Sequence, residues 1–362
     1  MSDSFGSYYT FTSIGGSHDP EMKGIITGLP PGISISKSLI TKDLKKRSPQ
    51  GYPGATERLE TDKVKWLKGI ADDYTTGDII EFVIENINIR SKDYQKLKGV
   101  FRPSHADFTY YKKYESLESS GTGRASGRET ALRVVAGSLA KQYLLSKGIK
   151  VLACVKAIGG VEAIYNIENV TEKSLKKSVI NCADKKAEMQ ILEKIEDAKN
   201  EGDTLGGIVE CIIIGTPAGI GDPIFNKLHA ELAMAIMSIP SVKGFELGEG
   251  FGASNMKGSE YNDEFIVDKN SKITTLTNHD GGIQGGISNG NDIVFRAAFK
   301  PVPSIRKQQK TVDVTGKERL LEITGRHDVC IVPRAVPVVE AMMAITISDL
   351  ALRAGIIPRV IR

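Results

Sequence analysis

Residues 337–352 read PVVEAMMAITISDLAL and are apolar almost all round, with a proline at the first position. Proline suits the first turn of a helix, because the N–H that it lacks has no partner inside that turn. A helix that is apolar on every side is buried on every side. The stretch therefore predicts a central helix with the rest of the fold packed around it.

Three further segments, at 129–146, 187–200 and 225–238, show the helical spacing of apolar residues and predict helices around this centre. The residues that define the apolar faces are Leu132, Val135, Leu139 and Tyr143 in the first segment, and Met189, Leu192 and Ile195 in the second. Strands are predicted where β-branched and aromatic residues cluster, at 7–14, 79–89, 149–156, 207–214 and 292–299.

The helices and strands do not alternate in a βαβ rhythm, so an α+β fold with layered sheets and helices is favoured over a doubly wound sheet. No segment rich in Pro, Gly or Ser divides the chain, and 1–362 is interpreted as one domain. Hydrophobic residues make up 40% of the 362 and charged residues 25%, which excludes the disordered and fibrous classes.

The net charge of +4 is too small to indicate nucleic-acid binding. The four cysteines, at 154, 182, 211 and 330, lack the spacing of zinc or CxxC sites and are interpreted as reduced, mostly buried thiols. The first residues, MSDSFGSYYTF, do not resemble a signal peptide, and no uninterrupted apolar run is long enough for a membrane helix. We therefore expect a soluble, cytoplasmic protein without a metal.

Polar, glycine-rich or histidine-bearing segments interrupt the scaffold at 15–32, 102–114, 121–130, 278–290 and 300–334. Four of the five histidines lie in them, namely His18, His105, His279 and His327. Imidazole exchanges protons near neutral pH, so this clustering favours catalysis over four solvated loop histidines.

Segment 121–130, GTGRASGRET, places Arg124, Ser126 and Arg128 just before a helix predicted to begin near Glu129. A helix start offers free N–H groups and partial positive charge, which together with two arginines predicts a phosphate or carboxylate site. The spacing matches neither the Walker loop nor the dinucleotide fingerprint. A solvent loop with capping residues remains the alternative.

Other candidates are weaker when taken one by one. KPVPS at 300–304 is typical of a surface turn, and His229 is typical of a structural histidine in a helix. The pair His327 and Asp328 lacks the further ligands of a metal site. The basic run that ends at Arg47 is either a solvated face or an anion contact. Taken together, arginines, histidines and glycine-rich backbone predict an enzyme for a multiply anionic small molecule.

The same segments, in this order, resemble the chorismate synthase family over nearly the whole chain. Three signature stretches of that family look like GESHG, then GHADYTY followed by RGGGRSSARET, and GRHDPC. Here they read GGSHDP (15–20), SHADFTY (104–110) with GTGRASGRET (121–130), and GRHDVC (325–330). Six further stretches also resemble sequences of the family, namely FRPSHAD, EGDTLGGIVE, SVKGFELGEGF, GSEYNDEF, GGISNG and KPVPSI.

This resemblance implies a layered β-α-β sandwich, with a helical core layer between antiparallel sheets, and a homotetramer. It implies a carbon–oxygen lyase of the shikimate pathway, which makes aromatic amino-acid precursors. The reaction is the 1,4-anti elimination of phosphate from 5-enolpyruvylshikimate 3-phosphate to give chorismate. It has no net redox change but needs reduced FMN, which bifunctional members regenerate with NADPH.

By resemblance, His18 would protonate the departing phosphate and His105 would lie by the N1 side of the reduced flavin. Ser17 and Asp328 would relay the proton abstracted through flavin N5. The positions that map to FMN-binding stretches are Arg124, Ala125, Ser126, Pro240, Ser241, Gly285, Lys300, Pro301, Val302, Pro303, Ser304 and Arg326. Arg47, Arg128 and Arg334 map to the arginines that bind the substrate's anionic groups.

The chain departs from the family text at several positions near these residues. The departures are Gly16, Asp19, Pro53, Glu115, Leu117, Ser120, Asp280 and Val329. Several of them remove positive charge or add negative charge, and Asp19 and Asp280 are expected to raise the pKa of any imidazole that they approach. Two interpretations remain: an active lyase that tolerates the changes, or a catalytically impaired member that binds FMN or another anionic ligand.

Overall fold

Helices and strands alternate irregularly along the chain in the computed structural model, which describes residues 3–56, 62–86, 99–115, 123–323 and 327–358. In chain order, helices α1 to α8 within these residues are Lys37–Arg47, Asp107–Tyr114, Thr130–Leu145, Glu172–Leu175, Lys185–Asn200, Leu228–Met237, Gly258–Tyr261 and Val332–Arg353. Strands β1 to β9 are Ser4–Phe5, Thr10–Ile14, Glu21–Thr27, Val64–Lys68, Ile70–Ala71, Tyr74–Thr75, Ile80–Glu85, Lys150–Ile158 and Val161–Glu162. Strands β10 to β18 are Gly207–Ile214, Val242–Leu247, Phe265–Val267, Ile273–Thr275, Ile283–Gln284, Ile287–Ser288, Ile293–Phe299, Gln309–Val312 and Glu318–Leu321.

Helix α8 contains the apolar stretch quoted first and is the centre of the fold, as predicted. It is long and apolar enough to cross a membrane by composition, with a mean hydropathy of 1.7, but that window is completely buried inside the protein. Helix α3 packs along it and is itself largely buried. These two helices form the core layer.

Two five-stranded antiparallel sheets enclose this layer, in the orders β1-β2-β3-β7-β4 and β11-β16-β10-β8-β9. Helix α3 contacts β2 and β3 of the first sheet, and α8 contacts β8 and β10 of the second. One apolar cluster joins residues of both sheets and both helices. The α+β fold class and the helical layer between antiparallel sheets are therefore confirmed.

The five predicted strand segments contain β2, β7, most of β8, β10 and β16, and the three other predicted helix segments contain α3, most of α5, and α6. The apolar face predicted for α5 was partly wrong, because Met189 is 66% exposed. Ile195 is buried as predicted, but Ile191 is buried in place of Met189, beside Glu188, whose carboxylate accepts hydrogen bonds from Ser178 and the Val179 N–H. A charged side chain with fixed donors thus takes a core position.

The predicted start of the central helix was also wrong. Helix α8 begins five residues earlier than Pro337, at Val332, and Pro333 occupies its first turn. Pro337 lies inside the helix, where it cannot donate to the carbonyl of Pro333. The proline that suits a first turn is therefore Pro333, and the earlier turn brings Arg334 into the helix.

Gly137 is a point of close approach between α3 and α8. A Cβ atom at this position would lie 2.2 Å from the Cα of Ala341 and 2.7 Å from its carbonyl oxygen. We expect Gly137→Ala to destabilise the protein by about 1–3 kcal/mol through overpacking, despite the better helix propensity of alanine. Urea unfolding measures this, with Gly258→Ala as the control because no atom lies within 4 Å of its added Cβ. Equal stability of the two variants would contradict the close packing.

Candidate active site

A cavity of about 590 Å³ opens where the start of α8 meets the loops that precede α2 and α3. Within the described part of the chain, the cationic side chains in its lining are Arg47, Arg102, Arg128, Lys243, Lys300 and Arg334. Among the residues that the structure describes, Asp328 is the one acidic residue in the lining, and His105 and His327 are the histidines. This charge balance suits a small molecule with several negative charges.

The turn before α3 forms one wall of the cavity. Gly123–Ala125 and Gly127–Glu129 each make a short 3-10 helix, and the Ser126 hydroxyl accepts a hydrogen bond from the Arg128 N–H at 3.3 Å. Helix α3 then begins at Thr130, one residue after the predicted start. The glycine-rich sequence thus brings Ser126 and Arg128 to the cavity beside a helix start, as the anion-site prediction requires.

His105 lies in the loop before α2, and its ring lines the cavity. Its Nδ1 atom is 3.0 Å from the Asp107 carboxylate, which also accepts two hydrogen bonds of 2.7 Å from the Arg102 guanidinium. Burial would raise the pKa of Asp107, but the hydrogen bonds from Arg102 and the proximity of His105 lower it far below its ordinary value. A carboxylate only accepts hydrogen bonds, so Asp107 favours the neutral tautomer of His105 that carries its proton on Nδ1, with Nε2 as the acceptor, although the 3.0 Å contact does not have hydrogen-bond geometry.

Lys300, which follows β16, contacts the loop that carries His105. Its Nζ donates to the carbonyl oxygen of Ser104 at 2.5 Å, and Ser104 itself has a left-handed backbone with φ of 57°. Burial and the charge of Lys243 lower the pKa of Lys300. A phosphate or carboxylate in the cavity would relieve the repulsion between these two ammonium groups.

Asp328 is held between a charged and a backbone donor. Its carboxylate accepts hydrogen bonds from Arg334 at 2.5 Å and from the Thr56 N–H at 2.9 Å. Arg334 also donates to the carbonyl oxygen of Arg47 at 2.9 Å. The acid of the cavity and two of its arginines therefore belong to one connected group.

The turn that carries Ser17 and His18 does not line the cavity but is attached to its wall. The Ser17 N–H donates to the Gly123 carbonyl oxygen at 3.2 Å. Arg124, two residues before Ser126, points into this turn, where it donates to the carbonyl oxygens of Ser13 and Gly15 and pairs with Asp3. In this structure Arg124 thus fixes the turn that carries His18.

Most of the other residues assigned by resemblance meet in this single cavity. Those in its lining are Arg47, His105, Ala125, Ser126, Arg128, Pro240, Ser241, Lys300, Val302, Pro303, Ser304, Asp328 and Arg334. Ser17, His18, Arg124, Gly285 and Pro301 are outside the lining. Gly285 lies in the turn between β14 and β15, and Arg326 is outside the described residues.

Sequence reasoning missed several residues that shape the cavity. Arg102 and Asp107 flank His105 in the stretch FRPSHAD, and that adjacency was the available signal. Lys243 lines the cavity from the start of β11, but a lysine in a strand gives no such signal. Asp62, which contacts Arg47 and Arg128, is separated from both in the sequence, so only the fold reveals it.

The departures from the family text have local partners or lie at the surface. The Asp19 carboxylate accepts from the Gly16 N–H at 2.6 Å, which closes the turn around His18. The Asp280 carboxylate accepts from Tyr261 at 2.7 Å, and burial together with this hydrogen bond raises the pKa of Tyr261 to about 12.

The carboxylate that the structure places near His279 is that of Asp263, at 3.5 Å from Nδ1. Pro53 and Glu115 are exposed, and Val329 donates its N–H to the Gly54 carbonyl oxygen. Leu117 and Ser120 are outside the described residues. Of the described departures, none is in the cavity lining.

Comparison with known proteins gives one consistent result. The family model described as chorismate synthase matches residues 9–352. The chain is 47% identical to a chorismate synthase of Prochlorococcus marinus (strain NATL2A) over 355 residues, which is 98% of both chains. It is 46% identical to that of Phocaeicola vulgatus over 349 residues, 96% of this chain and 97% of the other. A crystal structure of chorismate synthase superimposes with a TM-score of 0.76 at 28% identity, covering 96% of this chain and 93% of that one.

Proposed function

The chain belongs to the chorismate synthase family, and we propose that it acts as a chorismate synthase, eliminating phosphate from 5-enolpyruvylshikimate 3-phosphate to give chorismate. The observation that carries this proposal is the cavity lining, in which the described residues supply six cationic side chains and one carboxylate. The substrate has two carboxylates and a phosphate, so its negative charges match that lining. In the same cavity His105 supplies a side chain that can exchange protons near neutral pH.

The cavity also fits reduced FMN. Its apolar side, formed by Ile239, Pro240, Phe299, Pro303 and Val338, suits a flat ring, whereas Ser126 and the cationic lining suit the cofactor's phosphate. When bound, reduced FMN supplies electron density to the reacting ring and can accept a proton. Residues Ala125, Ser126, Pro240, Ser241 and Lys300 to Ser304 are proposed to hold it.

The protein's own residues bind the substrate and move protons. Arg47, Arg128 and Arg334 are proposed to bind the anionic groups, and their guanidinium groups suit the geometry of carboxylates and phosphates. His18 is proposed to protonate the departing phosphate, supported by the attachment of its turn to the cavity wall at Gly123. Asp328 is proposed to relay a proton with Ser17.

Assembly, location and cofactor regeneration are part of the same proposal. We propose a homotetramer that works in the cytoplasm and binds neither nucleic acid nor membranes. The support for these proposals is the resemblance to the family and, for nucleic acid, the small net charge of +4. Bifunctional members of the family regenerate reduced FMN with NADPH. The resemblance to the family is the support for proposing NADPH as the reductant here.

The decisive experiment is anaerobic turnover with chemically reduced FMN, because it separates the elimination from the reduction of the flavin. We expect the purified protein to release phosphate and form chorismate from 5-enolpyruvylshikimate 3-phosphate. Omission of the flavin is the control and should abolish both signals. Binding of FMN and substrate without phosphate release would instead establish the catalytically impaired family member.

A further inference from the structure

One buried carboxylate joins two arginines of the cavity. Asp62 Oδ1 accepts a hydrogen bond from Arg128 at 2.5 Å, and Asp62 Oδ2 accepts one from Arg47 at 3.0 Å. Arg47 is the last residue of α1, whereas Arg128 precedes α3. The two oxygens of a single side chain therefore connect the guanidinium groups of two separate helical elements.

Asp62 lies behind these arginines and not between them and the cavity. Its side chain is only 3% exposed and is absent from the cavity lining, whereas Arg47 and Arg128 both line the cavity. A carboxylate that occupied the place of the substrate would itself line that space. The arrangement is therefore that of a support for the two arginines.

The charge of Asp62 explains how two guanidinium groups stay close together in a buried region. Buried cations repel each other strongly unless a carboxylate offsets their charge. Elsewhere in the cavity the same pairing recurs, since Asp107 supports Arg102 and Asp328 supports Arg334. Asp62 differs because it serves two arginines at once.

Arg128 has a second support, which leads to the turn that carries His18. Its Nε donates to Asn86 Oδ1 at 3.0 Å, and Asn86 Nδ2 donates to the carbonyl oxygens of Gly16 and Asp19, at 3.2 and 2.8 Å. The position of Arg128 is thus linked through one amide to the backbone on both sides of His18. A displacement of Arg128 would be transmitted to that turn.

We propose that Asp62 is a positioning residue for substrate recognition, which holds Arg47 and Arg128 at the separation that the substrate's anionic groups require. This inference rests on the proposed function. In Asp62→Asn one amide oxygen can accept from one guanidinium, and the amide NH₂ faces the other with donors against donors. One of the two arginines then loses its bond to this side chain, and the separation of the pair is no longer set by one carboxylate.

The test is substrate affinity, measured by titration calorimetry with 5-enolpyruvylshikimate 3-phosphate in the absence of flavin, so that binding is separated from turnover. We expect Asp62→Asn to weaken binding about 10-fold or more, which corresponds to ~1.4 kcal/mol. With reduced FMN, KM should rise more than kcat falls. Asp62→Glu keeps the charge and should recover part of the affinity.

Asp78→Asn is the matched control, because it removes the same charge from an exposed position. It should bind like the wild type. Unchanged or tighter binding by Asp62→Asn would overturn the inference, and tighter binding would mean that this carboxylate competes with the substrate. If Asp62→Asn does not fold, Asp62→Glu tests the separation of the two guanidinium groups, because its longer side chain keeps the charge but changes that separation. Wild-type affinity of Asp62→Glu would then overturn the inference.

The outcome is separable from that of the proposed function. Failure of the wild type to release phosphate with reduced FMN contradicts the function alone. Weaker substrate binding by Asp62→Asn would still support the positioning role in that case. Normal turnover with unchanged binding by Asp62→Asn contradicts the positioning role alone.

Discussion

Replacement of His105 by glutamine is expected to lower the rate of phosphate release by roughly 10²–10⁴-fold, the range typical for loss of a positioned proton-transfer group. The ring lines the cavity, and its Nδ1 lies 3.0 Å from Asp107. Glutamine retains hydrogen-bonding groups of similar reach but cannot exchange a proton near neutral pH. The measurement is phosphate release under anaerobic conditions with chemically reduced FMN at saturating substrate.

His229→Gln is the matched control for this substitution. His229 lies on α6, outside the cavity lining, where burial and the charge of Lys227 lower its pKa. This variant should turn over like the wild type. A His105→Gln enzyme within about 3-fold of the wild-type rate would exclude His105 from a proton-transfer role.

Asp107→Asn separates the orientation of His105 from its chemistry. Asparagine can present its NH₂ group to Nδ1, which would shift the proton of the neutral ring to Nε2. The rate should therefore fall, but less than in His105→Gln, because the ring itself is still present. In the double variant the loss that acts through His105 should not be counted twice, and any further fall in rate reports on Arg102, which Asp107 also supports.

The fold was largely predictable because its strongest signals are local. An apolar segment such as 337–352 has to be buried, and the alternation in 292–299 has to form a strand, whatever surrounds them. The error in the apolar face of α5 occurred where a polar group finds a partner outside its own helix. Glu188 is buried and Met189 exposed because Ser178 and Val179, from a preceding turn, supply the donors.

The candidate site was predictable only in part, for a related reason. Sequence motifs identify His105 and Arg128 as candidate site residues, because the residues next to them in sequence form distinctive patterns. Asp62 and Asn86 have no such neighbours, and their importance comes from contacts with Arg128 across 66 and 42 positions of sequence. Sequence patterns therefore identified groups that face the cavity better than the groups that support them.

Replacement of Lys141 by methionine is expected to destabilise the protein by about 3–5 kcal/mol, the cost of removing one partner of a buried ion pair. Lys141 on α3 lies 2.6 Å from Glu340 on α8 and 3.1 Å from Asp43 on α1. Glu340 is 2% exposed, and its other oxygen accepts from the Ala153 N–H at 3.1 Å. Without Lys141, this buried carboxylate loses its nearest cation.

Urea unfolding at neutral pH and one protein concentration measures this loss. Lys199→Met is the matched control, because Lys199 pairs with Glu196 on the exposed surface of α5, where such pairs contribute ~0–1 kcal/mol. The double variant Lys141→Met, Glu340→Gln should recover much of the stability. The amide introduced by Glu340→Gln is uncharged, and its oxygen can still accept the hydrogen bond from the Ala153 N–H. Equal effects of Lys141→Met and Lys199→Met would contradict the buried pair.

The pH dependence gives an independent check on the same pair. Burial would raise the pKa of Glu340, but Lys141 and Lys46 lower it from its ordinary value of 4.5. In the wild type this stabilisation is present above that value and is lost as the pH falls through the lowered pKa.

In Lys141→Met, burial is opposed by Lys46 and the Ala153 N–H, without the nearest cation, while Asp43 adds negative charge, so the pKa of Glu340 should be raised. A raised pKa means that the folded variant binds the proton more tightly than the unfolded chain does. The variant therefore gains stability as the pH falls. The difference in unfolding free energy between wild type and Lys141→Met should accordingly shrink between pH 7 and pH 5. A difference that is constant with pH would mean that lost packing, and not charge, destabilises the variant.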